Sequence, residues 1–414
     1  MKCRHCQAEL RLPFLDLGHA PPSNAYLDAA ALRAPEVWFP LRLLACESCW
    51  LVQTEDHAGR EALFTDDYAY FSSYSVSWLE HSRRYVEAMI GRFGLDGNSM
   101  VCEVAANDGY LLQYVRQAGV PCYGVEPTAS TASAARDKGI DIVQRFFGVD
   151  LARELAASGR GADLIAANNV LAHVPDINDF VSGFAALLKP QGVATFEFPH
   201  LLRMVQESQF DTAYHEHYSY LSLTAVAHVF RANGLEVFDV EALPTHGGSL
   251  RVYAQRRDTG ARERQHAVRD VLEQERAAGM ETAAFYQGFQ AQAERVKNGL
   301  LSFLLDMRRE GRRVAAYGAA AKGNTLLNFA GIRPDLLPYV VDRNPAKQGR
   351  FLPGSHIPIV GEERLSADRP EYIVVLPWNL RSEVHAQLEY ARRGWGARLA
   401  TAVPELRVDP EHEG

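Results

Sequence analysis

The sequence predicts an α/β protein in three parts: a small cysteine-held domain, a seven-stranded sheet carrying helices, and a second, Rossmann-like α/β domain at the end. Three observations carry that reading. Cys3-Arg4-His5-Cys6 and Cys46-Glu47-Ser48-Cys49 form two CxxC pairs. Between residues 100 and 254, short apolar runs alternate with amphipathic stretches at the spacing of strand–helix units. From Arg312 the alternation of strand, small-residue turn and helix begins again. The 414 residues also exceed the ~250–300 at which a single core stops growing. The expected boundaries are 1–65, 66–258, a helical linker 259–310, and 311–414.

The first domain is read from its cysteines. Residues Met1 to Cys6 contain no apolar leader, and no apolar run approaches the ~18 residues of a membrane span. The expectation is a cytoplasmic protein, where paired cysteines bind metal more often than they form disulfides. Four thiolates from Cys3, Cys6, Cys46 and Cys49 would close a tetrahedron around structural zinc. The 39 residues between the pairs, with Pro13, Pro21 and Pro22, can loop out. A net charge of −8 argues against nucleic acid or an anionic membrane as partner, since both need a basic face.

A stretch dense in hydroxyls and aromatics, Asp67 to Trp78, leads into an amphipathic helix expected over Trp78–Phe93. Strand Met100–Val104 then runs into Ala105-Ala106-Asn107-Asp108-Gly109 and a helix from Tyr110 to Ala118. Ala105, Ala106 and Gly109 keep the loop thin, so a flat ligand could lie against bare backbone. Glu103 and Asp108 give it acids and no lysine or arginine, which suits a cationic ligand without phosphate. S-adenosylmethionine meets that description. Strand Cys122–Val125 ends at Glu126-Pro127, where a carboxylate would hold a ribose diol.

Ile140–Val143 and Asp163–Ala167 follow as strands, the latter running into Asn168-Asn169 and His173. A helix over Asp179–Leu188 is stopped by Lys189-Pro190-Gln191-Gly192 before strand Val193–Phe198. Leu235–Glu241 and Ser249–Ala254 have no helix between them, so they form an antiparallel hairpin at the sheet edge. Five strand–helix units and a terminal hairpin make the seven-stranded layout of class I methyltransferases. A nicotinamide-binding sheet does not end that way.

Residues 260–310 read as helical, with Phe285, Phe289, Val296, Leu300, Phe303, Leu304 and Met307 on one face. In the last domain Gly318-x4-Gly323 departs from GxGxxG, while Tyr339-Val340-Val341-Asp342 reads as a strand ending in an acid. Lys322 near a helix start is a candidate phosphate contact.

Tyr214-His215-Glu216-His217 lies just past the fifth strand, where ligand-facing residues of an open α/β sheet gather. The histidines are two apart, so they cannot form the i, i+4 pair of a zinc-binding helix. An extended segment would aim His215 and His217 one way, and Tyr214 and Glu216 the other. Histidine is the natural general base near neutral pH, and a nearby carboxylate would orient it.

Together these motifs resemble the sugar C-methyltransferases of deoxysugar biosynthesis, which act at C3 of nucleotide-linked 4-keto-6-deoxyhexoses. The resemblance runs nearly end to end. It covers the CxxC pairs, Glu103…Asn107-Asp108-Gly109, Tyr214-His215-Glu216-His217, Thr245-His246-Gly247-Gly248-Ser249-Leu250-Arg251 and Tyr317-Gly318-Ala319-x-x-Lys322-Gly323. It implies that His217 removes the C3 proton, supported by Tyr214 and Glu216. It also implies that His173 stabilises the enolate oxygen with a hydroxyl from Tyr70 or Tyr74. The expected cofactor set is Glu103, Ala105, Asn107, Asp108, Gly109, Tyr110, Glu126, Pro127, Asn168 and Asn169. On the substrate side stand His215, His246, Gly248 and Ser249, with Arg251, Lys322 and Arg343 as candidates for the diphosphate. The zinc would be remote and structural, and the family permits a monomer. The rival readings are an O- or N-methyltransferase, a nicotinamide-dependent oxidoreductase using the last domain, and a noncatalytic nucleotide-sugar binding module.

Overall fold

The computed structural model describes residues 1–57 and 71–410. The first strands are β1 (Leu12–Ala20), β2 (Phe39–Ala45) and β3 (Val52–Thr54), an antiparallel meander laid beside the cysteines. The central sheet takes β4 (Val101–Val104), β5 (Cys122–Val125), β6 (Ile142–Val143), β7 (Ala162–Asn168) and β8 (Leu188–Pro199). After β9 (Ser219–Tyr220), the hairpin β10 (Leu235–Leu243) and β11 (Ser249–Arg256) completes it. Its order is β10-β11-β8-β7-β4-β5-β6, with β4 to β8 parallel and the hairpin antiparallel. The seven-stranded expectation is met. β11 lies inside the sheet, between β8 and β10.

Two local expectations are corrected. Lys189-Pro190-Gln191-Gly192 does not separate helix from strand: β8 already pairs at Leu188 with Ala162, and its register slips before Val193 meets Leu164. The four residues are a bulge that Gly192 makes room for, since a Cβ there would meet the Ala162 carbonyl at 2.8 Å. The helix expected from Tyr110 begins at Leu112, because Gly109 (φ 76°) still turns the chain.

The C-terminal sheet is β12 (Val314–Tyr317), β13 (Val340–Val341), β14 (Ile359–Val360), β15 (Tyr372–Val375), β16 (Arg398–Thr401) and β17 (Arg407–Val408), ordered β14-β13-β12-β15-β16-β17. Helix Phe289–Arg309 buries Phe289, Val296, Leu300, Leu304 and Met307, as its periodicity requires. Phe303 packs against Tyr372, and Phe285 sits on the preceding short helix. Helix His266–Ala277 is pinned to the central domain by Glu275. That carboxylate is wholly buried and accepts from Leu223 N, Thr224 N and His200 Nε2 at 2.7–2.8 Å. It thereby fills the N-terminus of helix Leu223–Ala232.

The parts interlock. β9, from the central segment, pairs with β3 of the cysteine domain, Gln53 opposite Ser219. An arm of the first domain reaches the last one, where Leu27 bridges to Phe351. One apolar core accordingly runs through the first sheet, the linker helices and one face of the last sheet. No helix among the described residues is long and apolar enough to cross a membrane.

Candidate active site

The four cysteine sulfurs lie within 4.8 Å of one another, with Cys3 to Cys49 at 3.6 Å and Cys6 to Cys46 at 3.5 Å. Tetrahedral zinc with Zn–S of about 2.3 Å requires S···S near 3.8 Å, so the set fits the metal. Gln53 Nε2 donates to Cys3 Sγ at 3.3 Å, the kind of supporting hydrogen bond a thiolate ligand needs. All four positions are sulfur, which leaves none for chemistry.

The loop after β4 holds Ala105, Asn107 and Gly109 at φ of 61°, 48° and 76°. Gly109 is required, because a Cβ would meet Ile140 Cδ1 at 2.3 Å. Asn107 N and Thr128 N donate to the two oxygens of Glu126 at 2.9 and 3.0 Å, tying the loop to the end of β5 beside Pro127. Glu103 lies wholly buried at the end of β4. Burial pushes its carboxyl well above the ordinary range, against a hydrogen bond from Tyr110, and Asp108 and Glu126 add to the push. Asp108 Oδ1, both amide atoms of Asn168 and Asn169 Oδ1 are buried without partners among the described residues. Such groups persist when a ligand completes them. Three carboxyls, the unfilled Asn168 amide and the unpaired Asn169 Oδ1 at the carboxyl ends of β4, β5 and β7 suit S-adenosylmethionine: a sulfonium, an ammonium and hydroxyls.

At the neighbouring strand ends, Phe210 to Tyr220 brings the histidine cluster forward. His217 N donates to Tyr214 O at 2.9 Å, so 214–217 is a turn. The expected alternation therefore fails. Tyr214 stacks on His217 with centroids 3.9 Å apart, and His173 stands edge-on to it at 4.6 Å. His215 points the other way, its Nε2 3.2 Å from the Pro40 carbonyl and its ring edge-on to Phe39. Glu216 is buried and accepts from Asn24 Nδ2 at 3.1 Å, so its carboxylate faces the N-terminal arm and not His217. The turn is what separates them.

His217 Nδ1 donates to the Thr212 carbonyl at 2.9 Å, which leaves Nε2 with its lone pair. Burial, with His173 beside it, lowers its pKa well below the ordinary histidine value. His173 is pushed down to about 4 by burial, against a hydrogen bond to the Glu216 backbone. The edge-on contact with His217 keeps His173 in the same cluster as the base, as the resemblance implies. Tyr74 is exposed and edge-on to Phe71, while Tyr70 lies outside the described residues.

The substrate-side candidates divide. His246, at φ 53°, reaches Asn169 Nδ2 at 3.2 Å and stands edge-on to Trp78; burial lowers its pKa to about 4. Gly248 (φ 114°) and Ser249 close that turn through Thr245 O. Arg251 does not offer a free cation. It is buried, donating to Glu197 Oε1 at 2.7 Å and Glu241 Oε2 at 3.1 Å, with His81 Nε2 on the other Glu197 oxygen at 2.8 Å. Arg343 is solvated, 3.9 Å from Glu362. Lys322, in the last domain, donates to Asn379 Oδ1 at 2.8 Å, and its charge helps lower His217 and His246.

Sequence reading missed Asp211, Trp378, Asn379 and Lys138. Lys138 Nζ joins Ser73 Oγ at 2.8 Å to the Asp108 carbonyl at 2.6 Å. Only the position of Pro377-Trp378-Asn379 at the end of β15 could have pointed to them.

Three family models match the chain: a zinc binding domain at residues 3–64, a methyltransferase domain at 78–240 and a C-methyltransferase C-terminal domain at 244–404. The C-methyltransferase NovU of Streptomyces niveus is 33% identical over 98% of this chain and 96% of its own length. Among solved structures, a Burkholderia thailandensis 1,6-didemethyltoxoflavin-N1-methyltransferase is similar over 50% of this chain and 95% of its own, at 19% identity and TM-score 0.37. Magnesium protoporphyrin IX methyltransferase of Synechocystis PCC 6803 is similar over 49% of this chain and all of its own, at 16% identity and TM-score 0.36.

Proposed function

The chain belongs to the S-adenosylmethionine-dependent C-methyltransferases with an N-terminal zinc domain, and from that premise we propose that it methylates C3 of a nucleotide-linked 4-keto-6-deoxyhexose. The observation that carries the mechanism is the tautomer of His217. With Nδ1–H fixed on Thr212 O, Nε2 of this half-buried ring is left as an acceptor, the state of a general base. A carbon next to a ketone becomes nucleophilic only when its proton leaves, so a C-methyltransferase on such a substrate needs that base. Nε2 takes the proton, and the C–H electron pair becomes the enolate. Tyr214 and His173 pack on two sides of the His217 ring and restrict its rotation. Glu103, Asp108, Asn168 and Asn169 would hold S-adenosylmethionine, which supplies the sulfonium methyl. The sugar class is supported by the motif resemblance; an O-methyltransferase would use the same base on a hydroxyl, and proton exchange at carbon is what separates the two readings.

The test is exchange in heavy water. With a TDP-4-keto-6-deoxyhexose and no cofactor, the protein should wash deuterium into C3, and His217→Ala should stop it. Cofactor should then add one methyl mass. Silence with TDP-, GDP- and CDP-linked keto-sugars alike would overturn the substrate; exchange surviving in His217→Ala would overturn the base.

A further inference from the structure

At the seam between the last domain and the central one lies a cation whose surroundings no catalytic step has yet used. Lys322 starts helix Ala321–Phe329 of the last domain. Its ammonium sits 4.6 Å over the Trp378 ring and gives one of its three N–H groups to Asn379 Oδ1. The Trp378 indole N–H donates to Asp211 Oδ2 at 2.8 Å, across the boundary between the last domain and the central one. Asp211 is wholly buried, and its Oδ1 has no partner among the described residues. Gly247, at φ 86°, makes the docking fit: a Cβ there would meet Trp378 at 2.5 Å and Gln209 Nε2 at 2.6 Å. Among the described residues Lys322 makes its hydrogen bond to a neutral amide, Asn379, and Asp211 acts on it through charge alone. A half-buried cation with free donors and a distant counter-ion is set to receive an anion.

We propose that Lys322 is a further catalytic residue, the donor that receives the enolate oxygen when His217 takes the C3 proton, and that Asp211, Trp378 and Asn379 are positioning residues that seat it. The inference rests on the enolate reading above. In the step, the C3–H bond breaks, an N–H bond forms at His217 Nε2, and the electron pair moves onto the carbonyl oxygen, whose charge the ammonium meets. No redox partner is needed. The titratable and charged groups facing the seat are Asp211, His173, His217 and His246, with His81 and Glu197 behind His246. Burial lowers the Lys322 ammonium, Asp211 opposes that, and Lys322 in turn lowers His217 and His246. The cation thus also favours the neutral base.

The test measures C3 exchange in heavy water for the full chain and for Lys322→Met, Trp378→Phe and Asp211→Asn. Lys322→Met should lower exchange turnover by about a hundredfold or more with KM nearly unchanged. The two seat variants should lose about tenfold, and Trp378→Phe, which unseats the cation without removing a charge, should move the acid limb of the pH profile upward. A raised KM with unchanged turnover would instead assign Lys322 to the diphosphate and overturn the proposal. Independently of any substrate, the His217 imidazole should titrate at higher pH in Lys322→Met, and no movement would overturn the placement. If the parent protein shows no exchange, the enolate reading falls by itself, and the histidine titration still decides where Lys322 acts.

Discussion

The two Rossmann-like sheets begin alike and end in opposite uses. Each has a strand, a small-residue turn and a helix, and each places an acid at the end of its second strand. In the central sheet, the turn at Asn107 leaves Asp108, Asn168 and Asn169 with unfilled polar atoms. In the last sheet the turn at Gly318 is filled by the chain itself. Ala319 N donates to Asp342 Oδ2 at 2.8 Å, and Ala319 O receives both Lys347 Nζ at 2.9 Å and the Tyr26 hydroxyl at 2.7 Å. Gly318 lies flat on Pro377, where a Cβ would sit 2.5 Å from the ring. One turn waits for a ligand; the other has become a joint for the N-terminal arm. The difference lies in which groups remain unsatisfied, and strand order is silent about it.

Chelating the zinc, or Cys46→Ser, should have the largest effect, because both sheets lean on the first domain: one through β9, the other through Tyr26. Structural zinc sites are worth on the order of 10 kcal/mol, so thermal unfolding should move down sharply and take the fold with it. Activity lost from a protein with unchanged melting would break the structural assignment of the metal.

The acids of the two turns should then part company. Asp108→Ala should weaken S-adenosylmethionine binding by calorimetry roughly 10- to 100-fold, the worth of a charged hydrogen bond. Asp342→Ala should leave that affinity alone but cost about 1–3 kcal/mol in denaturant melts, since it strands the Ala319 N–H and the half-buried Lys347. Equal effects of the two on cofactor binding would erase the contrast.

Acid should distinguish the regions as well. His173, His217 and His246 all have folded-state values lowered by burial, so the unfolded chain binds protons first. Their contribution is present above the ordinary value near 6.5 and is lost as pH falls toward about 4. Hydrogen exchange at pH 5 should rise around 210–220 and 245–248 before it rises in the core of the last sheet. The smallest change is Tyr26→Phe, which removes one hydrogen bond and should lower stability by about 1 kcal/mol without touching turnover.

Much of this was legible locally. Apolar runs and turn residues placed β4, β5, β7 and the late hairpin within a residue or two, because period and turn chemistry are short-range properties. The cysteine quartet was legible because thiol chemistry admits few alternatives. What escaped reading depends on distant partners. The turn at Tyr214–His217 could not be told from an extended run, and Arg251 looked free because nothing in its neighbours in sequence reveals Glu197. Trp378 and Asp211 are 167 residues apart, and neither carries a motif.

The pairing of β9 with β3 has a consequence for how the protein is made. The zinc sheet leaves the ribosome early, but its outer edge stays open until the segment holding His217 has been synthesised. That segment caps the edge of the first domain as it delivers the base. A truncated product that stops before Ser219 therefore ends with an unprotected strand and without the joint that ties the base to the zinc domain.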